Sequence, residues 1–312
     1  MYMFKRVLII FISVLLGAMF IASAWLKLYP IELFEYQITG STFFGWDTSV
    51  FVARIIIAIE FALGILLIAA YDLKRTIPAM IVLLVVFCIH LVYLWASRGN
   101  QVDCGCMGEG ISITPLQGIL KNLGMIALGF VVYRWGHAYR FNIKQLNAYL
   151  LIVCATVVFI LNPVDLNYAR TYLNKPFEQF NLDLNSIYNS QDKLRVEHPS
   201  EDVRNRQLVL SFLSASCPHC KIAATKISVI KRRNPEIPFY FFINGEDKDI
   251  ETFLLKTETS GIPHSRLNGP EFIQAAGLNL PVIYYYDKGA VVKQVDYYTL
   301  DQKHIEQWLK LK

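Results

Sequence analysis

Four of the chain's six cysteines fall in two tight pairs, Cys217-Pro218-His219-Cys220 and Cys104-Gly105-Cys106. Thiols this close either hold a metal or form a disulfide that opens and closes. The first pair follows the apolar run Gln207–Ser214 and heads a helical pattern over residues 218–233, which puts Cys217 at a helix N-terminus. A thiolate, not a thiol, attacks a disulfide, and the partial positive charge at a helix N-terminus favours the anion. Cys217 therefore reads as the exposed nucleophile and Cys220, one turn on, as the resolving thiol. His219 adds an imidazole close enough to favour the thiolate further. In the second pair, Gly105 lets the backbone fold tightly enough to join residues i and i+2. So small a ring is strained, and strained disulfides are the labile, oxidising ones.

Metal chemistry is the competing reading. A lone Cys-x-x-Cys is half a zinc site, but no second cysteine or histidine pair follows at ligand spacing in the C-terminal half. For Cys104 and Cys106 two alternatives stay open: a structural staple, or copper or zinc binding together with His90. Cys88 and Cys154 lie within apolar runs and read as small buried residues.

The elements that must position these cysteines divide the chain in two. At 54% hydrophobic residues and a mean hydropathy of +0.37, the chain is too apolar for one soluble domain. Val7–Leu26, Val50–Tyr71, Ile77–Ala96 and Leu116–Tyr133 are each long enough to cross a hydrocarbon core, whereas Ala148–Leu161 has only 14 residues. Residues 165–312 have the mixed composition of a globular domain. Lys5-Arg6, Lys74-Arg75 and the group Arg134, Arg140 and Lys144 alternate with segments 27–49 and 97–115, which carry few basic residues. Placing the basic clusters in the cytoplasm predicts five crossings and a bacterial inner-membrane protein. Both cysteine pairs then face the periplasm. If the fifth run failed to cross, the pairs would lie on opposite sides and could not meet. Lys5-Arg6, the apolar stretch and Ala22-Ser23-Ala24 also resemble a cleavable signal peptide, although the run continues through Trp25-Leu26-Lys27-Leu28, which favours an uncleaved helix. The net charge of +5 resides in the basic clusters, so membrane topology explains it and no nucleic-acid partner is implied.

Four ionisable residues fall within the spans: Arg54, Glu60, His90 and Lys121. Charges in lipid are costly, face the bundle interior and either pair or serve function. The structural reading pairs Glu60 with Lys121 or Arg54. The functional reading is a proton relay, or a site for a quinone head group, beneath the Cys104-Gly105-Cys106 loop.

Family resemblances converge on the same division. Ile21-Ala-Ser-Ala-Trp-Leu-Lys27-Leu-Tyr-Pro30, then Phe34, resembles the first-helix signature of DoxX-like four-helix membrane proteins, and Ile59-Glu60-Phe-Ala-Leu-Gly64 resembles their second helix. Asp103-Cys104-Gly105-Cys106-Met107-Gly108, with Lys121-Asn122 in the next helix, resembles the methylamine-utilisation MauE branch over about residues 5–135, where a Phe is commoner than Met107. That resemblance implies disulfide formation or electron transfer during maturation of exported proteins. Strand, Cys-x-x-Cys, helix, strand, then a hairpin opened by Leu280-Pro281 resembles the thioredoxin fold over roughly 175–312. It implies a cis-proline at Pro281 facing the cysteines. The Pro218-His219 dipeptide is similar to that of periplasmic DsbA-type oxidases. Ser211 departs from the family, which usually buries an acidic proton relay at that position.

The expected architecture is thus a four-helix DoxX/MauE-like membrane domain (1–135), a basic loop and fifth helix (136–164), and an α/β thioredoxin-like domain (165–312). The expected function is a membrane-tethered thiol–disulfide oxidoreductase. It would exchange with exported clients through Cys217/Cys220 and relay electrons through Cys104/Cys106 to or from the membrane, with a quinone as the acceptor and no other cofactor. The alternative is a metal-handling assembly factor that uses the cysteines as ligands.

Overall fold

The computed structural model describes residues 2–100, 102–105, 113–136, 145–164, 173–192, 195–199 and 202–311. The chain separates into two compact units, residues 1–164 and 165–312.

Four helices of the first unit are long and apolar enough to cross a membrane: α1 (Tyr2–Leu28), α3 (Trp46–Ile68), α4 (Leu73–Arg98) and α5 (Pro115–Trp135). Their outward faces are apolar, with Phe11, Val82, Ile89 and Phe130 all exposed, as a lipid-facing surface requires. Helices α1 and α3 approach closely through glycines. A Cβ added at Gly17 would lie 2.6 Å from the Gly64 carbonyl oxygen, and one at Gly64 would lie 2.6 Å from Ile21 Cγ1. With no hydrophobic drive between helices in lipid, such small-residue contacts let backbones gain van der Waals packing.

Segment 27–49, read from sequence only as poor in basic residues, holds a further helix, α2 (Ile31–Ser41). It buries Ile31, Phe34 and Ile38 against Ala24, Leu28, Ala53 and Ile57. Glu35 on α2 pairs with Arg54 on α3, and the Arg54 Nε–H also donates to the carbonyl oxygen of Asn162 at 2.8 Å. The fifth apolar run forms α6 (Leu146–Leu161), whose 16 residues rise about 24 Å, short of a ~30 Å hydrocarbon core. Its outer face is nonetheless apolar, with Ile152, Ile160 and Leu161 exposed. Its C-terminal end lies beside the N-terminal half of α3, Phe159 against Phe51, with Asn162 bound by Arg54. Because α2 also holds the Cys104 segment, the chain leaves this unit on the face that carries Cys104.

The second unit is built on a six-stranded sheet. In chain order its strands are β1 (Phe180–Asn181), β2 (Gln207–Ser214), β3 (Phe239–Asn244), β4 (His264–Arg266), β5 (Val282–Asp287) and β6 (Ala290–Val295), and in space they run β1-β6-β5-β2-β3-β4. β2 is parallel to β3 and antiparallel to β5. Leu208, Leu210 and Phe212 point into one core with Tyr240, Phe242, Phe272 and Tyr284. Alternation sends Val209, Ser211 and Leu213 to the opposite face, and all three are buried. A central strand buried on both faces leads into a helix (Pro218–Arg233, α8 after the short α7, Asn185–Asn189) and then a parallel neighbour. That is the thioredoxin-like arrangement, and it places a Cys-x-x-Cys at the strand-to-helix turn.

Replacing Gly17 by leucine should wedge α1 from α3 and cost about 1–3 kcal/mol, as overpacking does. The expected readout is earlier unfolding in a denaturing-detergent titration of the purified full chain; unchanged unfolding would show that the two helices do not pack through Gly17 and Gly64.

Candidate active site

The C-terminal dithiol sits where β2 ends and α8 begins. Cys217 is the N-cap of α8, with Pro218 in the first helical turn, where its missing N–H costs nothing. Cys217 Sγ accepts from the Cys220 amide at 3.4 Å, so the helix N-terminus points a backbone donor at that sulfur. Cys220 is fully buried, and its Sγ accepts from the Ser214 amide at 3.3 Å. Both are free thiols, Cys217 half-buried and Cys220 enclosed. Burial pushes the Cys220 thiol up, well above its ordinary range, and the neighbouring Cys217 adds to the rise while the Ser214 N–H opposes it. The two sulfurs are thus unequal: one reachable, the other held protonated until needed.

Pro281 follows a cis peptide bond from Leu280. Antiparallel register pairs Phe212 with Val282, which sets Pro281 one step further, at the end of β2 that leads to Cys217. The His219 ring is exposed and stacks on Tyr297, with centroids 5.8 Å apart and planes at 22°. Its described contact is therefore an aromatic one. Ser211 is completely buried in mid-strand, and its hydroxyl has no hydrogen-bond partner among the described residues.

In the first unit, Cys104 is buried, only 1% exposed. Its amide donates to the Ile113 carbonyl at 2.9 Å, and its carbonyl accepts from Gln37 Nε2 on α2. Gly105 adopts φ +60, which favours glycine, and a Cβ there would also displace the Gln37 amide. A Cβ on Gly118 would lie 3.5 Å from Cys104 Sγ, so the α5 backbone runs past the thiol. Cys106 lies outside the described residues, as do Met107 and Gly108.

Beside Cys104 the bundle encloses a cavity of about 310 Å³. Glu60, His90 and Lys121 line it with Cys104, and so do Lys27 and Asn122. The expected pairing of Glu60 with Lys121 or Arg54 is corrected here. Lys27 Nζ donates to both Glu60 oxygens, at 2.7 and 2.9 Å, and to Ser23 Oγ at 2.7 Å. Lys27 lies across the close α1–α3 contact, which gives it first access to Glu60. Arg54 does not line the cavity: it is held by Glu35 and by the Val50 and Asn162 carbonyls. Sequence reasoning missed Lys27, Glu35 and Gln37. The i, i+4 spacing of Ser23 and Lys27 on an apolar helix was the available signal for the first. Among the described residues, no three His, Cys, Asp or Glu side chains cluster to hold a metal.

Comparison with known proteins matches residues 5–135 to the family described as methylamine utilisation protein MauE. This segment is similar to that family and forms the membrane-capable helices of the first unit. Protein TlpB of Flavobacterium psychrophilum is 29% identical over a 294-residue alignment covering 79% of each chain, enough to take in parts of both units. A secreted disulfide oxidoreductase of Mycobacterium tuberculosis, homologous to E. coli DsbE, is 18% identical and covers 34% of this chain and 82% of its own, with a TM-score of 0.29. The fold of the second unit rests on its strand order and its cysteine turn rather than on that likeness. Joined to a MauE-like membrane segment, this dithiol has the geometry of a membrane-bound thiol–disulfide oxidoreductase.

A raised Cys220 has a consequence for stability. Its neutral form is favoured only in the folded state, so the contribution is full below the ordinary thiol range, roughly pH 8.5. It is lost as pH rises through the folded value, because the unfolded chain then binds fewer protons. Reduced protein should lose up to about 1.4 kcal/mol per pH unit from this one group above that point. Cys220→Ala should flatten the slope in alkaline urea titrations of the reduced protein; an unaltered slope would mean that Cys220 is not the group responsible.

Proposed function

We propose that the protein oxidises exported client proteins through Cys217/Cys220 and is itself reset by Cys104/Cys106, which pass the electrons into the membrane domain. The observation that carries this reading is the pairing of an accessible sulfur with an enclosed one at the head of α8. Cys217 forms the mixed disulfide and Cys220 resolves it. The return of α6 to the Cys104 face supports transfer between the two dithiols within one chain. The connecting segment, 162–175, partly outside the described residues, would reach roughly 45 Å if extended. Tethering at an effective concentration near the millimolar range makes exchange fast without a strong docking surface.

The basic clusters Lys5-Arg6 and Lys74-Arg75 support placing both dithiols on the extracytoplasmic side of a bacterial inner membrane. A membrane-impermeant maleimide should therefore label Cys217 in intact spheroplasts. Labelling only after lysis would put the domain in the cytoplasm and end the reading.

Replacing Cys104 and Cys106 together by serine should leave Cys217/Cys220 trapped reduced in cells, while the purified variant still exchanges with small thiols. Alkylation and gel shift of the cellular protein measure this. A pair trapped oxidised would reverse the direction of flow, to a reductase, and an unchanged redox state would separate the two dithiols.

A further inference from the structure

The cavity beside Cys104 combines features that neither packing nor ion pairing accounts for. It lies inside a lipid-embedded bundle, and its wall is largely apolar: Phe20, Ile56, Leu84 and Met125 line it. A volume of about 310 Å³ falls in the range of small-molecule sites, which are mostly apolar with a few placed polar groups. Those polar groups converge from four helices: Lys27 (α1), Glu60 (α3), His90 (α4), and Lys121 and Asn122 (α5). Lys27 and Glu60 are 3% and 1% exposed, so the wall holds a fully enclosed ion pair. Lys27 Nζ also lies 5.3 Å from the Phe87 ring centroid and 5.6 Å from that of Phe34. Cys104 lines the same space, and the segment that carries it is fixed by Gln37 and Ile113.

We propose that this cavity binds the carbonyl ring of a quinone-class acceptor from the lipid, and that Cys104 is the sulfur facing it. The assignment rests on the proposed relay between the dithiols and names its terminal acceptor. Chemistry selects the class. A dithiol gives up two electrons and two protons together. An acceptor reached from within the bilayer must be apolar, take two electrons and end neutral. A quinone does so: two S–H bonds break, one S–S bond forms between Cys104 and Cys106, and the two ring carbonyls become hydroxyls. Negative charge developing on the ring oxygens needs donors in a place without water. His90, Lys121 and Asn122 supply N–H groups at the wall. The Lys27–Glu60 pair contributes no net charge, so a neutral ring enters without stranding an unpaired ion. The ring oxygens draw on the two thiol protons, so no outside proton source is required.

Two measurements on the full chain in lipid nanodiscs test the assignment, with decylubiquinone and a photoreactive azido-ubiquinone as probes. Reduced protein should oxidise Cys104/Cys106 on mixing with decylubiquinone, followed by loss of quinone absorbance. Leu84→Trp, which fills the cavity from α4, should slow that oxidation at least roughly tenfold. Exchange at Cys217/Cys220 should be unaffected. The azido probe should label peptides that contain Glu60 or His90, and excess decylubiquinone should compete; this readout holds even if Leu84→Trp misfolds. Lys27→Met and Glu60→Gln should raise the decylubiquinone KM more than they lower kcat if the pair shapes the site. Labelling confined to lipid-facing residues, or equal oxidation by wild type and by a folded Leu84→Trp variant, overturns the assignment. Failure of Cys217/Cys220 to reduce Cys104/Cys106, with quinone oxidation intact, removes the relay and leaves the cavity assignment standing. A working relay with no quinone reaction removes the cavity assignment alone.

Discussion

An ammonium and a carboxylate lie side by side in the interior of a lipid-embedded bundle, and the membrane unit is arranged around keeping them together. Lys27 and Glu60 are both almost completely enclosed, and all three Lys27 N–H groups meet oxygens of Glu60 and Ser23. Either charge alone in this setting would cost several kcal/mol. The pair therefore fixes the register of α1 against α3 at one end, while Gly17 and Gly64 set their closest approach at another. The arrangement does not close completely. It leaves a cavity, with the neutralised pair as part of its wall and a cysteine at its edge.

Helix α2 ties the Cys104 segment and the end of the unit to that bundle. Two of its residues, Glu35 and Gln37, hold respectively the Arg54 clasp on Asn162 and the carbonyl of Cys104. Arg98, at the end of α4, donates to the Gly40 carbonyl and so ties the start of the cysteine segment to the same helix. A charge in the membrane that looked like a functional group from sequence thus serves geometry: Arg54 sets where the chain leaves the unit. For a protein whose two dithiols lie on separate units, that exit point decides whether they share a side of the membrane.

How much of this was legible depended on what kind of signal each feature leaves in a sequence. The Cys217–Cys220 turn, Pro281 and the four long spans are written in local patterns: a motif between strand and helix, an X-Pro bond, an uninterrupted apolar run. Helix α2 was missed because Glu32, Glu35 and Gln37 interrupt its apolar residues, so no span-length apolar run marks it. The partners of Glu60 and Arg54 were misassigned for a different reason. Hydropathy reports how long a span is and says nothing of which neighbour it faces, so Glu60 was matched to Lys121 or Arg54, and Lys27, one residue past the apolar run Val7–Leu26, was left out. The cavity left no local trace at all, because its lining comes from separate helices brought together by packing.

The departure at Ser211 changes how the C-terminal dithiol must work. A buried acid at that position would take the proton from the resolving thiol, and a serine does not titrate there. Two of the influences that hold Cys220 protonated come from Cys217 itself, through a hydrogen bond and through charge. Once Cys217 is bonded in a mixed disulfide, both are removed. What remains is desolvation, opposed by the Ser214 N–H that already points at Cys220 Sγ. On the proposed exchange, the mixed disulfide thus lifts two of the lesser influences against resolution, while desolvation, the largest, stays.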